Sequence, residues 1–386
     1  VAGQLNVNEE IIDYPQKVTM LNAIKISGRT KNGLGIGFFN AITDKTEAII
    51  KDNTTGNTRK EITNPFSNYN ILVVDKQFNQ NSSVTLINTN VTRDGKFRDA
   101  NVTGLLWHIE TKDSKYNVDG SVKMSNIFDD VNQPNTGYTF DTSFGKNAGS
   151  WSWEIGYNFT DEKFNPNDMG ILFNNNERTI YNNFSYRILK STKTLNQLNI
   201  NFFNRLKYQD FSGDFTGYNS GLNVFLQTKK RFMFGGGINY NSIRKDFNEP
   251  RQGNMSGIYF SRPGNLSVNS WFNTNSQKKF GLNMNVFYSM FFNNPKSYIS
   301  FNLSPRYRLN NQFSINYFFS YGKTSNDQGY VNKVGSDIIF GERNRKNYTN
   351  SFTGRYNFST KSSLSLSFRH YWSSVDYTDS YYKLNT

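Results

Sequence analysis

Cysteine is absent from the 386 residues of this chain, so neither a disulfide framework nor a thiolate metal site can form. Long apolar runs are absent as well: no stretch of about eighteen apolar residues occurs, which excludes a transmembrane helix. Apolar residues are scarce overall, at 36% of the sequence with a mean hydropathy of -0.67. A soluble all-β chain of this length needs a dense aliphatic core, so the composition argues against a large dry interior.

What the sequence does contain is an alternation of apolar and polar residues that recurs from about Val18 to Trp372. One apolar row is Leu282, Met284, Val286, Tyr288 and Met290, and another is Leu364, Leu366, Phe368, His370 and Trp372. A period of two places alternate side chains on opposite faces of a strand. Each run therefore predicts a strand with one apolar and one polar face.

A membrane barrel explains this pattern better than a soluble barrel or sandwich, because its lumen is polar and its lipid band uses only alternate residues. The sequence therefore predicts an all-β fold, a large transmembrane antiparallel up-and-down β-barrel. The side chains expected to face lipid are Leu282, Met284, Val286, Leu364, Leu366 and Phe368.

Short and long connections alternate along the chain, and they set the predicted topology. Turn-like links such as Asn32-Gly33, a strong hairpin signal, separate the long ones. The long links are Thr43–Ser67, Arg93–Asp99, Asn126–Thr136, Thr160–Arg178, Tyr208–Asp214, Asn241–Gly264, Phe291–Lys296 and Gly322–Lys346. Because membrane barrels have short turns at one rim and long loops at the other, the alternation predicts about eighteen strands in one barrel domain.

That domain is expected to span residues 1–386 and to be incomplete at both ends. Val1–Lys17 and Asp376–Thr386 read as external loops, and no closing strand follows them. An open sheet edge in hydrocarbon would leave backbone groups unpaired, which lipid cannot satisfy. Further strands and an export signal are therefore expected outside these residues.

Aromatic side chains near the predicted strand ends form a second group of candidates. They are Trp107, Trp151, Tyr157, Tyr288, Tyr307 and Trp372. Amphipathic rings collect at the membrane interface, so these residues are expected to form aromatic girdles. The alternative interpretation is ordinary packing between strands.

Residues Leu21–Ala41 (LNAIKISGRTKNGLGIGFFNA), together with Asn68–Asp75, Asn81–Val91 and Arg98–Gly104, resemble blocks of a Bacteroidota outer-membrane family of unknown function. The resemblance is specific over residues 20–105 and diffuse beyond. It implies a carbohydrate-binding module, similar to family 9 modules, ahead of a large C-terminal barrel of which only the barrel part is present here. It carries over no activity to any residue.

The sequence matches phosphate-binding, metal-binding and calcium-binding motifs only weakly. Gly235-Gly236-Gly237 lacks the following helix that a phosphate-binding loop needs, and glycine within a strand more often marks a bulge or close packing. His108 is expected in the lumen and His370 at the lipid interface, rather than as metal ligands. The oxygen-rich segment Asp161–Gly170 lacks calcium-loop spacing and is interpreted as a solvated acidic loop. No catalytic residue, metal or cofactor is therefore expected.

The net charge of +14 bears on partners. Lys and Arg are scattered rather than clustered, which argues against nucleic acid. Basic residues at strand ends suit anionic headgroups, so outer-membrane lipids including lipopolysaccharide are expected partners. A solvated lumen and rim with no specific partner is the alternative.

Two main functional hypotheses follow for a protein of the cell outer membrane. The first is a non-enzymatic barrel that is a structural or partner component of an envelope protein complex. The second is an uptake or transport barrel with a glycan as candidate ligand. A barrel that tethers a carbohydrate-binding or carbohydrate-active module is a third and rests on the resemblance alone.

Overall fold

The computed structural model describes residues 5–129, 133–253 and 256–385 and contains 23 strands. No helix in these ranges is long and apolar enough to cross a membrane. The strands are β1 (Glu9–Asp13), β2 (Met20–Arg29), β3 (Leu34–Thr43), β4 (Thr46–Asp52), β5 (Thr58–Asn64), β6 (Ser67–Phe78), β7 (Ser82–Arg93), β8 (Asp99–Glu110), β9 (Tyr116–Phe128), β10 (Asn135–Lys146), β11 (Trp151–Thr160), β12 (Glu177–Arg187), β13 (Leu195–Gln209), β14 (Phe215–Thr228), β15 (Met233–Asn241), β16 (Arg244–Asp246), β17 (Phe260–Arg262), β18 (Asn265–Asn273), β19 (Phe280–Phe291), β20 (Ser297–Arg308), β21 (Phe313–Val334), β22 (Asp337–Asn357) and β23 (Ser363–Lys383).

Eighteen of these strands belong to one large antiparallel sheet, while β1, β4 and β5 form a three-stranded sheet and β16 and β17 a two-stranded one. The predicted all-β class and the expected number of about eighteen strands in one antiparallel sheet are confirmed. Among the described strands, β2 pairs with β3, and β23 pairs with β22. The residues of β2 and β23 are exposed along almost the whole length of each strand. Closure into a barrel is therefore not shown.

Tight turns fix the register of the sheet where the sequence predicts them. Gly33 has a φ of 76° in the turn between β2 and β3, and Arg29 pairs with Gly35 beside it. Asn79 and Gln80, with φ values of 46° and 63°, make the equivalent turn between β6 and β7. In the second of these turns, two successive residues with positive φ match the twist of a two-stranded ribbon, so β6 and β7 pair without splaying.

Two segments predicted as loops contain strands. Thr43–Ser67 holds β4 and β5, which pair with each other, and β4 also pairs with β1, within the supposed loop Val1–Lys17. Ala48 and Ile50 of β4 are fully buried, which explains why this segment folds into a sheet of its own. Asn241–Gly264 holds the hairpin of β16 and β17.

At the C-terminal side of the chain, strands continue through two further segments that were expected to be loops. Gly322–Lys346 belongs to β21 and β22 apart from a turn at residues 335 and 336. Asp376–Thr386 is strand as far as Lys383, which pairs with Ile339. These extensions carry few alternating apolar residues, so the period-two pattern does not reveal them.

The chain divides into two compact units, residues 1–145 with 156–178 and residues 146–155 with 179–386. In the first unit, Ile36, Val74, Leu86, Leu105 and Val122 are paired in register across neighbouring strands. We call the side of each unit that bears such rows its apolar face and the opposite side its polar face.

The second unit has a longer row of the same kind. Six strands place directly paired side chains side by side: Phe202, Leu222, Ile238, Val268, Tyr288 and Ile299. These six side chains are 41 to 51% exposed. The unit thus presents a contiguous apolar surface, whereas its main buried apolar cluster, around Phe340, lies with the β16 and β17 hairpin.

A candidate binding site on the polar face of the second unit

The polar face of β14, β15, β18 and β19 is a floor of short amide and hydroxyl side chains. Asn219 donates to Asn239 at 2.7 Å and to Asn241 at 2.9 Å. Ser267 and Ser289, on neighbouring strands, are hydrogen bonded at 2.9 Å. Small polar residues at every second position therefore leave room above the sheet, and they satisfy one another's hydrogen-bonding groups.

The hairpin of β16 and β17 occupies part of that room and is held by ions and rings. Arg262 donates to Asp246 at 2.6 Å and to Glu249 at 2.7 Å. The Phe260 ring stacks on the fully buried Phe340 ring with centroids 4.6 Å apart. The hairpin is thus fixed to the extended parts of β21 and β22 rather than mobile in solvent.

Arg244, the first residue of β16, reaches across the polar face of β14. Its side-chain carbons lie so close to Gly217 that a Cβ there would meet Arg244 Cγ at 2.7 Å. Its buried Nε has no hydrogen-bond partner, and no ion pair to Arg244 is found in the part of the chain that the structure describes. An unsatisfied buried donor of this kind costs about 1 to 3 kcal/mol, so its position calls for an explanation.

Two adjoining cavities, of about 370 and 450 Å³, share Arg244, Asn241, Ser267 and Phe287 in their walls. Six basic residues line them: Arg205, Lys207, Arg244, Arg262, Lys296 and Arg345. No carboxylate is found among the described residues of either wall. The cavities therefore carry positive charge, with aromatic and amide surface between the cations.

Carboxylates behind the walls neutralise some of these cations. Asp327 accepts ion pairs from Lys296 at 2.7 Å, Arg345 at 3.0 Å and Arg343 at 3.3 Å. Burial alone would raise the pKa of Asp327, but the Lys296 hydrogen bond and these charges hold that pKa below its usual value. The Nε of Arg345 remains without a hydrogen-bond partner, as does that of Arg244.

In the hairpin of β16 and β17, burial and neighbouring charges likewise have opposite effects on the pKa of a carboxyl group. Burial opposes ionisation of Asp246, yet its hydrogen bond with Arg262 keeps the pKa of Asp246 below its usual value. Burial, and then repulsion from Arg262, lower the pKa of the Arg244 guanidinium. Attraction by Asp246 opposes these shifts, and an arginine remains charged under them. Arg244 is thus a cation without a direct ion pair among the described residues.

The first unit places His108 and the segment Asp161–Gly170 on its polar face. His108 Nδ1 contacts Asp119, and its Nε2 lies 3.3 Å from Glu110. No group of three metal-ligating side chains is found in the described ranges. His108 pairs across the strands with Ser83 and Asp119, in the row opposite the apolar one.

The interpretation of Asp161–Gly170 as a solvated acidic loop is wrong. The Asp168 side chain is only 7% exposed and is paired with Arg93 at 2.8 Å and Arg98 at 3.0 Å. Asn165 donates its backbone N–H to Ser125 on the polar face at 3.0 Å. The loop therefore folds onto the sheet of its own unit, and the carboxylates of Asp161 and Asp168 serve as internal hydrogen-bond acceptors.

The structure places the six residues expected to face lipid together on the apolar face of the second unit. Met284 and Val286 are about one-third exposed, while Leu364, Leu366 and Phe368 are exposed by 61 to 72%. Leu282 is half-buried beside Pro305. The residues between them, such as Asn285, lie on the polar face. Alternate residues of β19 and β23 thus lie on opposite faces of the sheet.

The candidate girdle residues lie at different heights of the apolar faces. Trp151 and Tyr307 are exposed beside short turns, and Tyr288 and Trp372 are exposed toward the long connections. Trp107 and Tyr157 are half-buried, and both contact Phe140, at 6.3 and 6.5 Å between ring centroids. The packing alternative therefore describes these last two better.

The same face holds His370 next to Asn350, which accepts a hydrogen bond from the Tyr317 hydroxyl at 2.6 Å. On β23, His370 lies two residues before Trp372 in the same apolar row, near the end of the row that faces the long connections. It has no partner that would make it a metal ligand in the described ranges.

Comparison with known proteins gives one decisive match. A family model described as a domain of unknown function (DUF5916) matches residues 1–386. The chain belongs to this family. No curated protein matches it. The DUF5916 domain thus has the architecture described above, with a cavity lined by basic residues around Arg244.

Sequence reasoning missed the Arg244 cavity entirely. Its cations come from β13, the hairpin, the connection between β19 and β20, and β22, and no spacing in the sequence connects them. One local signal could have predicted the hairpin. Arg244 and Asp246, two residues apart, pair with Arg262 and Phe260, and this spacing is typical of two paired strands.

Proposed function

We propose that the DUF5916 domain is a membrane-spanning β-barrel of the cell outer membrane whose apolar faces contact lipid. The row of paired, exposed apolar side chains from Phe202 to Ile299 carries this proposal. Soluble monomers rarely expose a contiguous apolar patch of more than a few hundred Å², and such a surface marks contact with lipid or another apolar phase. The polar opposite face then corresponds to a lumen.

The height of the apolar band fits a bilayer. On β22, Tyr356 lies beside a short turn and Tyr348 lies eight residues away, next to Lys346. Eight residues at about 3.4 Å span about 27 Å along the strand, or about 20 Å across a membrane at a typical tilt of about 40°. The Tyr348 ring contacts Trp372 at 5.4 Å and Tyr321 at 5.0 Å, which makes an aromatic boundary.

In the first unit a ladder of amides follows the apolar row. Asn40 donates to Asn68 at 2.6 Å and to Asn70 at 2.9 Å, and it shares the face of Phe38 and Leu72. These amides lie toward the long connections. We place them at the height of the lipid headgroups, where lipopolysaccharide is the expected contact.

The membrane proposal is tested by extraction. We expect the protein in the outer-membrane fraction, resistant to carbonate and urea and released only by detergent. A chain that stays dispersed and monomeric in plain buffer, without any surfactant, would contradict the proposal.

Within that membrane we propose a structural or partner role in an envelope protein complex, without enzymatic activity. In each unit the polar face is partly covered by the unit's own chain, the loop of Asp168 in one and the hairpin of Arg244 in the other. Such packing suits a rigid platform better than a wide pore. Co-purification in mild detergent tests this role, and a barrel that always isolates alone would count against it.

Uptake of glycans or other polar solutes is the second candidate, and the basic cavities favour it. Conductance in planar bilayers and flux of labelled oligosaccharides into vesicles would measure it. Solute flux that is absent from protein-containing vesicles would leave the partner role as the better account.

The resemblance of Leu21–Ala41 supports a finer placement, which we also propose. The DUF5916 domain would belong to Bacteroidota outer-membrane proteins that combine such a barrel with a carbohydrate-binding module. Analysis of the mass and glycan binding of the protein isolated from its own membranes tests this placement. A mature protein without any such module would overturn it.

A further inference from the structure

We propose that the cavity around Arg244 and Arg345 binds an oxyanion, namely the carboxylate, sulfate or phosphate group of an acidic saccharide. This inference goes beyond the membrane role and does not depend on it, because it concerns a polar cavity within one unit.

In the cavity that Arg244 and Arg345 share, the ion pairs among the described residues leave Arg244 available to take an anion. Arg262 is paired with Asp246 and Glu249, and Lys296 and Arg345 share Asp327. Arg244 has no carboxylate partner among the residues that the structure describes. The described wall residues include no acid, so an entering anion meets no repulsion from a carboxylate among them.

The geometry supplies donors as well as charge. The Nε groups of Arg244 and Arg345 are both buried, neither has a hydrogen-bond partner among the described residues, and both residues line the same cavity. A guanidinium presents its donors in a rigid planar fork that suits carboxylate, sulfate and phosphate. An oxyanion between the two arginines would satisfy donors that the protein leaves open.

The fold pre-positions Arg244 for this task. Gly217 leaves space for its aliphatic stem, and the Phe260 and Phe340 stack fixes the hairpin that carries it. A side chain held in place loses little freedom on binding, which favours affinity.

The remaining wall indicates a ligand larger than a simple ion. Phe287, Phe291 and Tyr298 offer ring surface, while Asn219, Asn239 and Asn269 belong to the adjoining cavity. Apolar rings with a few amide groups that orient the ligand are usual in pockets for organic molecules, and the volumes are in the range of such pockets. An acidic sugar matches both parts of the wall.

The test is calorimetric titration of the full chain in detergent micelles with four probes: a trimer of galacturonic acid, a neutral maltotriose, inorganic sulfate and inorganic phosphate. We expect the acidic trimer to bind at least tenfold more tightly than the neutral one, with affinity that falls as salt is added. Arg244→Gln should weaken the acidic trimer at least tenfold, and Arg187→Gln, at an exposed turn away from the cavity, should leave it unchanged.

Gly217→Ala is the second variant, since it displaces the Arg244 side chain without removing a charge. Its circular dichroism spectrum should keep the wild-type β-sheet content while binding falls. Binding of sulfate or phosphate but not of the acidic trimer would support the oxyanion site and overturn the saccharide assignment. No binding of any anion, or equal affinities for wild type and Arg244→Gln, would overturn the site itself.

Discussion

Val286 and Asn285 are neighbours on β19 whose side chains lie on opposite faces of the sheet. If lipid covers the apolar face, Val286→Arg puts a charge near the middle of the hydrocarbon and should reduce the free energy of unfolding by about 2 to 4 kcal/mol. Asn285→Arg should cost little, because the polar face can hydrate the new charge. Chemical unfolding in lipid vesicles measures both, and equal costs would contradict the facing assignment.

Glu9 and Arg59 make a bidentate ion pair in the small sheet of the first unit, with N to O distances of 2.8 and 2.9 Å. The Arg59 guanidinium, together with the Asn6 backbone N–H, lowers the pKa of Glu9 to about 2 from an ordinary value of 4.5. The folded pKa is depressed, so the stabilisation is present above 4.5 and is lost as the pH falls through about 2.

We therefore expect hydrogen exchange of the β1 and β4 amides to accelerate as the pH falls from about 5 to 2, beyond the intrinsic change in exchange rate. In Glu9→Gln this extra dependence should disappear. Persistence of the same profile in the variant would show that another group is responsible.

Among elements, the hairpin of β16 and β17 depends on the buried Phe340 ring. Phe340→Ala removes the surface on which Phe260 stacks, and we expect a loss of about 3 to 5 kcal/mol in the stability of this region. Limited proteolysis should then cleave between β16 and β17. Phe358→Ala, at an exposed turn, serves as the control. Unchanged cleavage in Phe340→Ala would mean that the ion pairs of Arg262 suffice to hold the hairpin.

The loop of residues 161–176 depends in the same way on Asp168. Asp168→Asn removes the carboxylate that Arg93 and Arg98 share, and the loss of this partly buried ion pair should loosen the loop. We expect faster proteolysis next to Phe173, which is already exposed. Glu162→Gln, in the same loop, should not change the rate. Protection of Phe173 in Asp168→Asn would rule out this anchor.

Strand prediction succeeded where one face of a strand is apolar and failed where charge holds the strands together. The rows of β19 and β23 alternate plainly, and their short turns carry recognisable residues. The extensions of β21 and β22 are instead held by backbone pairing and by Asp327 with Arg343 and Arg345, which apolar periodicity cannot detect. Long-range ion pairs of this kind appear only once the fold brings the residues together.

For the whole molecule, composition predicted the class of fold and the two-faced sheet but not the chemistry on the polar face. The net charge is +14, and the basic residues are scattered along the sequence. In the structure, six of them line the cavities around Arg244. Their convergence depends on register between strands that are far apart in the chain, and on how a long connection folds back. A local sequence pattern predicts neither the register between distant strands nor the path of a long connection.

The proposed contact between the apolar face and lipid is tested most directly by site-specific quenching, for which the absence of cysteine is convenient. Single cysteines at Val286 and Phe368 on the apolar face, and at Asn285 and Ser367 on the polar face, would carry a fluorescent label in vesicles that contain brominated lipid. We predict strong quenching at Val286 and Phe368 and weak quenching at Asn285 and Ser367. Equal quenching at all four positions, or none at Val286 and Phe368, would contradict the account.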